Sequence, residues 1–331
     1  FHSPTPRDAV FTAISAAGAD SAWAVGYSTG NTVARYADGR WILLPTGVSQ
    51  PLRGVWTDPA GEMVAVGDQG VIVRSNGDSI APVVTASTTK LNDAWGMDSS
   101  EVWAVGDSGT AIRIVGDTGY RIPTPVDNGP SLASVWGTSK DNVWAVGAAG
   151  TVLRWDGVRW TRFVAPDNAL NYVSVFGSAP NDVWLLGGRQ IYRWDGAAWR
   201  LVRQEQELLL RGFARSARDV WILRYFQRIS TFNGVIWTRD IIPTASVTSV
   251  NSIAPAGDSG VWAAGTHGLI TRGRDGFWTD TSGQTPSQNR FRLQSVWSAN
   301  PDEAWACGSN ILLHWNGRVW ESMTLSETID C

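Results

Sequence analysis

The side chains best suited to making contacts are concentrated between Arg203 and Arg228 of this 331-residue chain. Arg203, Arg211, Arg215, Arg218, Arg224 and Arg228 all fall there, beside the adjacent aromatics Tyr225 and Phe226. Guanidinium forks and aromatic rings dominate the centres of protein interfaces because each buries area and fixes geometry at once. The chemistry expected here is recognition. Arg211, Arg215, Arg224, Tyr225, Phe226 and Arg228 are the expected partner contacts, with Tyr225 and Phe226 in the turn of a hairpin. The alternative is sequence drift with solvated arginines.

Catalytic sets are poorly represented. There is no GxSxG elbow, and the three histidines, His2, His267 and His314, show no spacing that suggests a general base. With Cys307 and Cys331 they make no zinc pattern. No catalytic residue, metal or cofactor is expected. A disulfide between Cys307 and Cys331 is feasible, because the residues after Thr324 span roughly 23 Å when extended. It would suit an oxidising compartment. The alternative is a buried Cys307 and a free terminal thiol. The Gly67–Gly70, Gly106–Gly109 and Gly147–Gly150 runs read as hairpin turns, not phosphate loops.

The elements that must carry these residues are set by an internal repeat. A VWAVG-like core recurs at Trp23, Val64, Trp103, Trp144, Trp184, Trp221, Trp262 and Trp305. Eight or nine residues upstream of each lies an apolar or aromatic residue, such as Trp56, Trp95, Trp136 or Trp297. Downstream comes a turn dipeptide, such as Asp156-Gly157 or Asn316-Gly317, and then another aromatic. Asn-Gly and Asp-Gly accept the positive φ of tight hairpins. Each copy therefore reads as four short antiparallel strands, which is one propeller blade. The expected fold is all-β: an eight-bladed β-propeller, with a seven-bladed ring and one displaced copy as the alternative. The propeller is expected over residues 9–324 as a single domain, with 1–8 an N-terminal extension and 325–331 a tail. The tryptophans are expected to fill the seams between wedge-shaped blades, each indole N–H finding an acceptor.

Two further slots repeat. Arg35, Arg74, Arg113, Arg154, Arg193 and Arg272 precede the turns, while Glu62, Glu101, Asp182, Asp219 and Glu303 sit two residues before the second-strand anchor. Cross-strand ion pairs between these slots are expected to pin register. Small or polar residues near the first strands should line a central channel. Asp93 and Arg211 are the outliers there, suited to a polar ligand or to ordered water.

The formal net charge of −3 gives no electrostatic case for nucleic acid. Of 27 basic residues only Lys90 and Lys140 are lysines. No apolar run approaches the ~20 residues of a membrane-spanning helix. The chain opens on Phe1. That start, the many tryptophans and the few lysines together suggest an extracytoplasmic protein: secreted, periplasmic or on the cell surface.

The segments VWAVGAAGTVLRWDGVRW (Val143–Trp160) and VWAVGDSGTAIRI (Val102–Ile114) resemble the Trp-rich propeller repeats of bacterial secreted proteins and tectonin-type repeats. Asp-box propellers are a weaker likeness, because Asp156 and Gly157 are adjacent where that motif separates them. The tectonin resemblance implies a recognition module more than an enzyme. The expected function is a non-enzymatic scaffold that holds a protein partner through rim loops. Lectin-like glycan binding or a structural role in a larger surface assembly are the alternatives. A propeller-type glycan hydrolase or lyase is the remaining one.

Overall fold

The computed structural model describes residues 10–327 except 19–20, 28–30, 38–39, 78, 227, 243–249, 257–259, 266–269, 275–276, 281–291, 301, 309–310 and 323–324. The protein is an eight-bladed β-propeller. Each repeat copy forms one four-stranded antiparallel meander, so the seven-bladed alternative falls. The first strands of blades 1 to 8 are Val10–Gly18, Leu52–Thr57, Leu91–Asp98, Leu132–Ser139, Tyr172–Ala179, Leu209–Ser216, Val250–Ala256 and Leu293–Asn300. Blades 7, 8, 1 and 2 belong to one compact unit; blades 3 to 6, with the turn Asp68–Val71, form the other.

Blade 4 shows how the sequence makes a sheet. Its second strand, Asn142–Gly147, is buried at every residue. A near-continuous apolar run suits a strand covered on both faces. The fourth strand, Trp160–Arg162, buries Trp160 and exposes Arg162. Between the third and fourth strands, the Asp156 carboxylate accepts the amides of Val158 (2.9 Å) and Arg159 (2.8 Å), and Gly157 takes φ 93°. Asp195, Asn233 and Asn316 cap the equivalent turns in the same way. These turns need a short acceptor side chain followed by a residue free of a Cβ.

Within the second unit the second-strand tryptophans of blades 3, 4 and 5 pack on the outer aromatics of the next blade. Trp103 meets Trp155 and Trp160, with ring centroids at 4.7 and 5.0 Å. Trp144 meets Trp194 and Trp199 at 5.7 and 5.4 Å. Trp184 meets Phe232 and Trp237 at 5.8 and 5.9 Å. In the first unit Trp262 meets Trp315 and Trp320 at 5.3 and 5.1 Å. There too, Trp305 of blade 8 shares a core cluster with Ile14, Ala22 and Ala24 of blade 1.

The expectation about indole N–H groups holds only in part. Trp23, Trp155, Trp184 and Trp221 donate to Gly61, Lys140, Asp182 and Asp219. Among the described residues Trp103, Trp144, Trp160 and Trp262 bury theirs without a hydrogen-bond partner. Trp103, Trp144 and Trp262 each pack on two rings of the next blade, as a seam built from rings requires.

The first strands carry a one-residue shift near their start, as between Leu91 and Asp93 or Leu132 and Ser134. Such bulges re-aim side chains and release backbone groups from the ladder. Neighbouring blades use those groups. Asn92 donates to the Leu132 carbonyl (2.9 Å), Thr12 to Leu52 (3.2 Å) and Asn251 to Leu293 (2.6 Å). Asp93 accepts the Val135 amide at 3.0 Å.

Two outer edges gain a fifth, parallel strand. Val84–Thr85 pairs with Thr118 and Gly119 of blade 3. Leu325–Glu327, the start of the expected tail, pairs with Trp41 to Leu43 of blade 1. Cys307 is buried in the blade 8–blade 1 cluster, and burial pushes its thiol well above the usual range. Cys331, its expected partner, lies outside the described residues.

Trp144 is fully buried among Phe163, Trp194 and Trp199. Trp144→Ala should therefore lower unfolding free energy by about 3–5 kcal/mol. Urea or guanidinium denaturation would read this; a loss below about 1 kcal/mol, the scale of an exposed-site change, would contradict the seam role.

Candidate functional site

Blade 6 departs from the repeat at its second strand, Asp219–Arg224, and the hairpin that follows. In blades 2, 3, 4 and 8 the residue closing this strand is Gly67, Gly106, Gly147 or Gly308, and a Cβ there would collide with the carbonyl of Pro51, Lys90, Ser131 or Arg292. Blade 6 places Arg224 in that slot.

The sequence suggested an exposed Arg224 at a hairpin tip. The structure corrects this: its side chain is 2 % exposed. Arg224 pairs with Glu207 (2.5 Å) and Glu205 (3.4 Å), and donates to the Ile229 carbonyl (3.3 Å). Glu205 is itself buried. It is held by Arg203, by Arg239 (2.9 Å) and by the Ser230 hydroxyl (2.6 Å). Arg228 closes on Glu207 at 2.9 Å. Burial alone would push the Glu205 carboxyl up, but Ser230, Arg203 and Arg224 outweigh it and hold the group below its ordinary value. The sequence did carry a signal for this network. The connector reads Glu205-Gln206-Glu207, two carboxylates ahead of the one copy with arginine in the glycine slot.

The other expected contacts separate. Arg215 lies at the far end of the first strand, about 20 Å along it from Leu209. It is tied to Asp219 (2.5 Å) and lies over the stacked rings of Phe213 and Trp221. Arg211 faces an inner cavity. Tyr225 and Phe226 remain at the tip, 48 % and 72 % exposed, with the half-exposed Arg228 at its base. Leu208, 48 % exposed and absent from the sequence expectation, joins them, because the Tyr225 amide donates to its carbonyl at 2.9 Å. Phe226 has φ 59°. Gln69, Ser108 and Ala149 hold the same left-handed position in blades 2, 3 and 4. A bulky aromatic there costs conformational energy, and such strain clusters at functional positions.

Among the described residues the second unit holds a polar and an apolar cavity. One, of about 230 Å³, is polar and opens on the first strands of blades 3 to 6, where it brings the sequence-expected Asp93 and Arg211 together. The other, of about 530 Å³, is an apolar cleft lined by Phe163, Pro166, Trp194 and Trp199, with Arg162 at its margin. Among the described residues no cluster of three or more metal-ligating side chains occurs, and no helix is long and apolar enough to cross a membrane.

No protein-family model matches the sequence, and no curated protein is similar to it. Solved structures are. YCF48 from Cyanidioschyzon merolae aligns with a TM-score of 0.64 at 15 % identity, over 84 % of this chain and 99 % of that one. A structure of YCF48 bound to D1 peptide aligns with 0.61 at 15 %, over 95 % and 94 %. A streptogramin B lyase aligns with 0.56 at 13 %, over 93 % of each. At these identities the likeness establishes the β-propeller fold alone, and that fold serves both binding and catalysis among these neighbours.

Glu205→Gln should leave Arg224 buried with one carboxylate fewer, at a cost of about 3 kcal/mol near neutral pH. A carboxyl with a depressed folded pKa contributes stability above its ordinary pKa of 4.5 and loses it as pH falls through the folded value. The gap between wild type and variant should therefore narrow below pH 4.5. Denaturation at neutral and acidic pH reads both parts, and a gap that widens on acidification would contradict the assignment.

Proposed function

We propose that this chain is a non-enzymatic recognition scaffold that holds a protein partner against the tip of blade 6. The observation that carries this reading is Phe226, an aromatic ring 72 % exposed on a left-handed backbone position. Leu208 and Tyr225 extend the apolar contact, and the buried Arg224–Glu205–Glu207 network fixes the backbone beneath it. A rigid tip bearing aromatic side chains binds at low ordering cost. That YCF48, a propeller of similar fold, has a structure bound to D1 peptide supports peptide or protein recognition on such a frame. The repeat likeness to secreted propellers supports an extracytoplasmic setting.

The apolar cleft between blades 4 and 5 supports a second reading, glycan binding. Trp199 and Phe163 line it together with Arg162, a combination of rings and a hydrogen-bond donor that suits a sugar. Binding of the purified chain to a glycan array, lost on Trp199→Ala, would favour that reading.

Affinity capture from the source cells, with wild type and Tyr225→Ala/Phe226→Ala in parallel, tests the first. Each residue is exposed, so the variant should unfold within a few degrees of wild type. Its partner affinity should fall by about 30-fold or more, the scale of one interface hot spot. Equal recovery of every bound protein by the two baits would remove blade 6 from the function.

A further inference from the structure

The polar cavity on the first strands of blades 3 to 6 has features of a ligand site that the blade 6 tip does not use. Its walls come from four consecutive blades of one unit, so the inner bulges fix their relative positions. Asp93 stands on one side. It accepts the amides of Ala94 (3.0 Å) and Val135 (3.0 Å), with the Ser134 hydroxyl close by. A carboxylate has about four acceptor positions, so at least one is left over. Ser134 is committed elsewhere, since its oxygen accepts the Val175 amide at 3.3 Å.

Arg211 stands on the other side. It is exposed to the cavity, and no carboxylate lies within ion-pair distance of it among the described residues. Its charge acts on Asp93 without contact. Ser174, at the same position on blade 5 as Ser134 on blade 4, is only 8 % exposed, and its hydroxyl has no protein partner among the described residues. The Ser174 hydroxyl is not one of the fully buried unpaired polar atoms, so it opens to the cavity, where a polar ligand can reach it. The cavity thus presents a free guanidinium with a free hydroxyl, and, apart from them, a carboxylate with a vacant acceptor position.

We propose that this cavity binds a small zwitterion of α-amino-acid size, its carboxylate on Arg211 and Ser174 and its ammonium on Asp93. Guanidinium forks match carboxylates in geometry and charge. A lone anion would leave Asp93 facing it uncompensated, and a lone cation would do the same to Arg211. A group bearing both charges satisfies each wall. The volume of about 230 Å³ lies below the roughly 300–1,000 Å³ of sites for drug-sized ligands, which limits the occupant to a few heavy atoms beyond the two charged ends.

Saturation-transfer NMR and calorimetry with the purified full chain test this, using a panel of L-α-amino acids. For each amino acid that binds, the decarboxylated amine and the deaminated acid serve as controls. At least one amino acid should bind with Kd below about 1 mM, and both of its half-molecules at least tenfold more weakly. Arg211→Met and Ser174→Ala should each weaken binding, Arg211→Met by about tenfold or more, as expected for loss of a charge-assisted hydrogen bond. Asp93→Asn should weaken the amino acid but leave the weak binding of its acid half unchanged or stronger. Tyr225→Ala/Phe226→Ala should bind the amino acid as wild type does. The proposal is overturned if no amino acid in the panel binds, if either half binds as tightly as the whole, or if Arg211→Met binds like wild type.

Discussion

The second-strand indole pressed against the outer aromatics of the next blade, as at Trp103, Trp144, Trp184 and Trp262, is the contact on which the rest of this protein depends. A four-stranded meander has two apolar faces and cannot bury both by itself. The VWAVG strand is buried on both, so it must be covered by neighbours. An aromatic side chain removes about 150–250 Å² from water when buried, worth roughly 4–6 kcal/mol by area. That makes the seam the largest favourable term a blade contributes. The indole is also covered from its own sheet. The Arg35, Arg154, Arg193 and Arg272 guanidiniums lie 5.1–5.6 Å from the ring centres of Trp23, Trp144, Trp184 and Trp262. Arginine stems pack while their heads stay near water, so this cover closes the seam at its wet margin.

The arginine slot explains why its exceptions are tolerated. Blade 8 has His314 there, stacked on Trp305 at 3.9 Å and held by Glu303. Blade 6 has Thr231, and Arg215 from the first strand lies over Trp221 instead, 6.0 Å from its ring centre. What the seam requires is a flat, polar-tipped cover, and more than one side chain supplies it. The cross-strand ion pairs are secondary to this. Arg113–Glu101 and Arg193–Asp182 form as the spacing suggests, at 2.5 and 2.8 Å. Glu62 instead accepts the Ser75 hydroxyl, and Asp219 takes Arg215 from the first strand. Partly exposed pairs of this kind contribute little, so their partners are free to change.

The repeat made the architecture legible because its signals are local and recur: an apolar run, a turn dipeptide, a ring at a fixed distance. The two parallel edge strands were not legible. Val84–Thr85 and Leu325–Glu327 are two and three residues long, and backbone pairing on an existing edge leaves no periodicity to read. The site was half legible. Asp93 and Arg211 stood out as irregular residues at channel positions, and they share a cavity. The arginines of blade 6 looked like one patch because they are close in sequence, yet a strand of eight residues carries its ends far apart. Arg215 and Tyr225 therefore belong to opposite ends of Leu209–Ser216. Arg224 could have been placed by asking what a glycine slot that excludes a Cβ must do with a guanidinium. The answer lay in the acidic connector upstream of it.

That exchange of a glycine for a buried arginine is hard to explain by packing alone. Burying one guanidinium and two carboxylates gains little over an apolar core of the same volume, and losing one member leaves an uncompensated charge. A glycine at this position, as in the other copies, would need none of them. The network is better understood through what it fixes. Arg224 is bonded at once to the connector before the blade, through Glu205 and Glu207, and to the strand after the hairpin, through the Ile229 carbonyl. Both flanks of the tip are thereby held to one side chain. Directional bonds set position where apolar contacts only set proximity. The left-handed backbone itself does not need this setting, since Gln69, Ser108 and Ala149 adopt it in blades 2, 3 and 4 after a glycine. What sets blade 6 apart is therefore the exposed aromatic at that position together with the tying of both its flanks to one buried guanidinium.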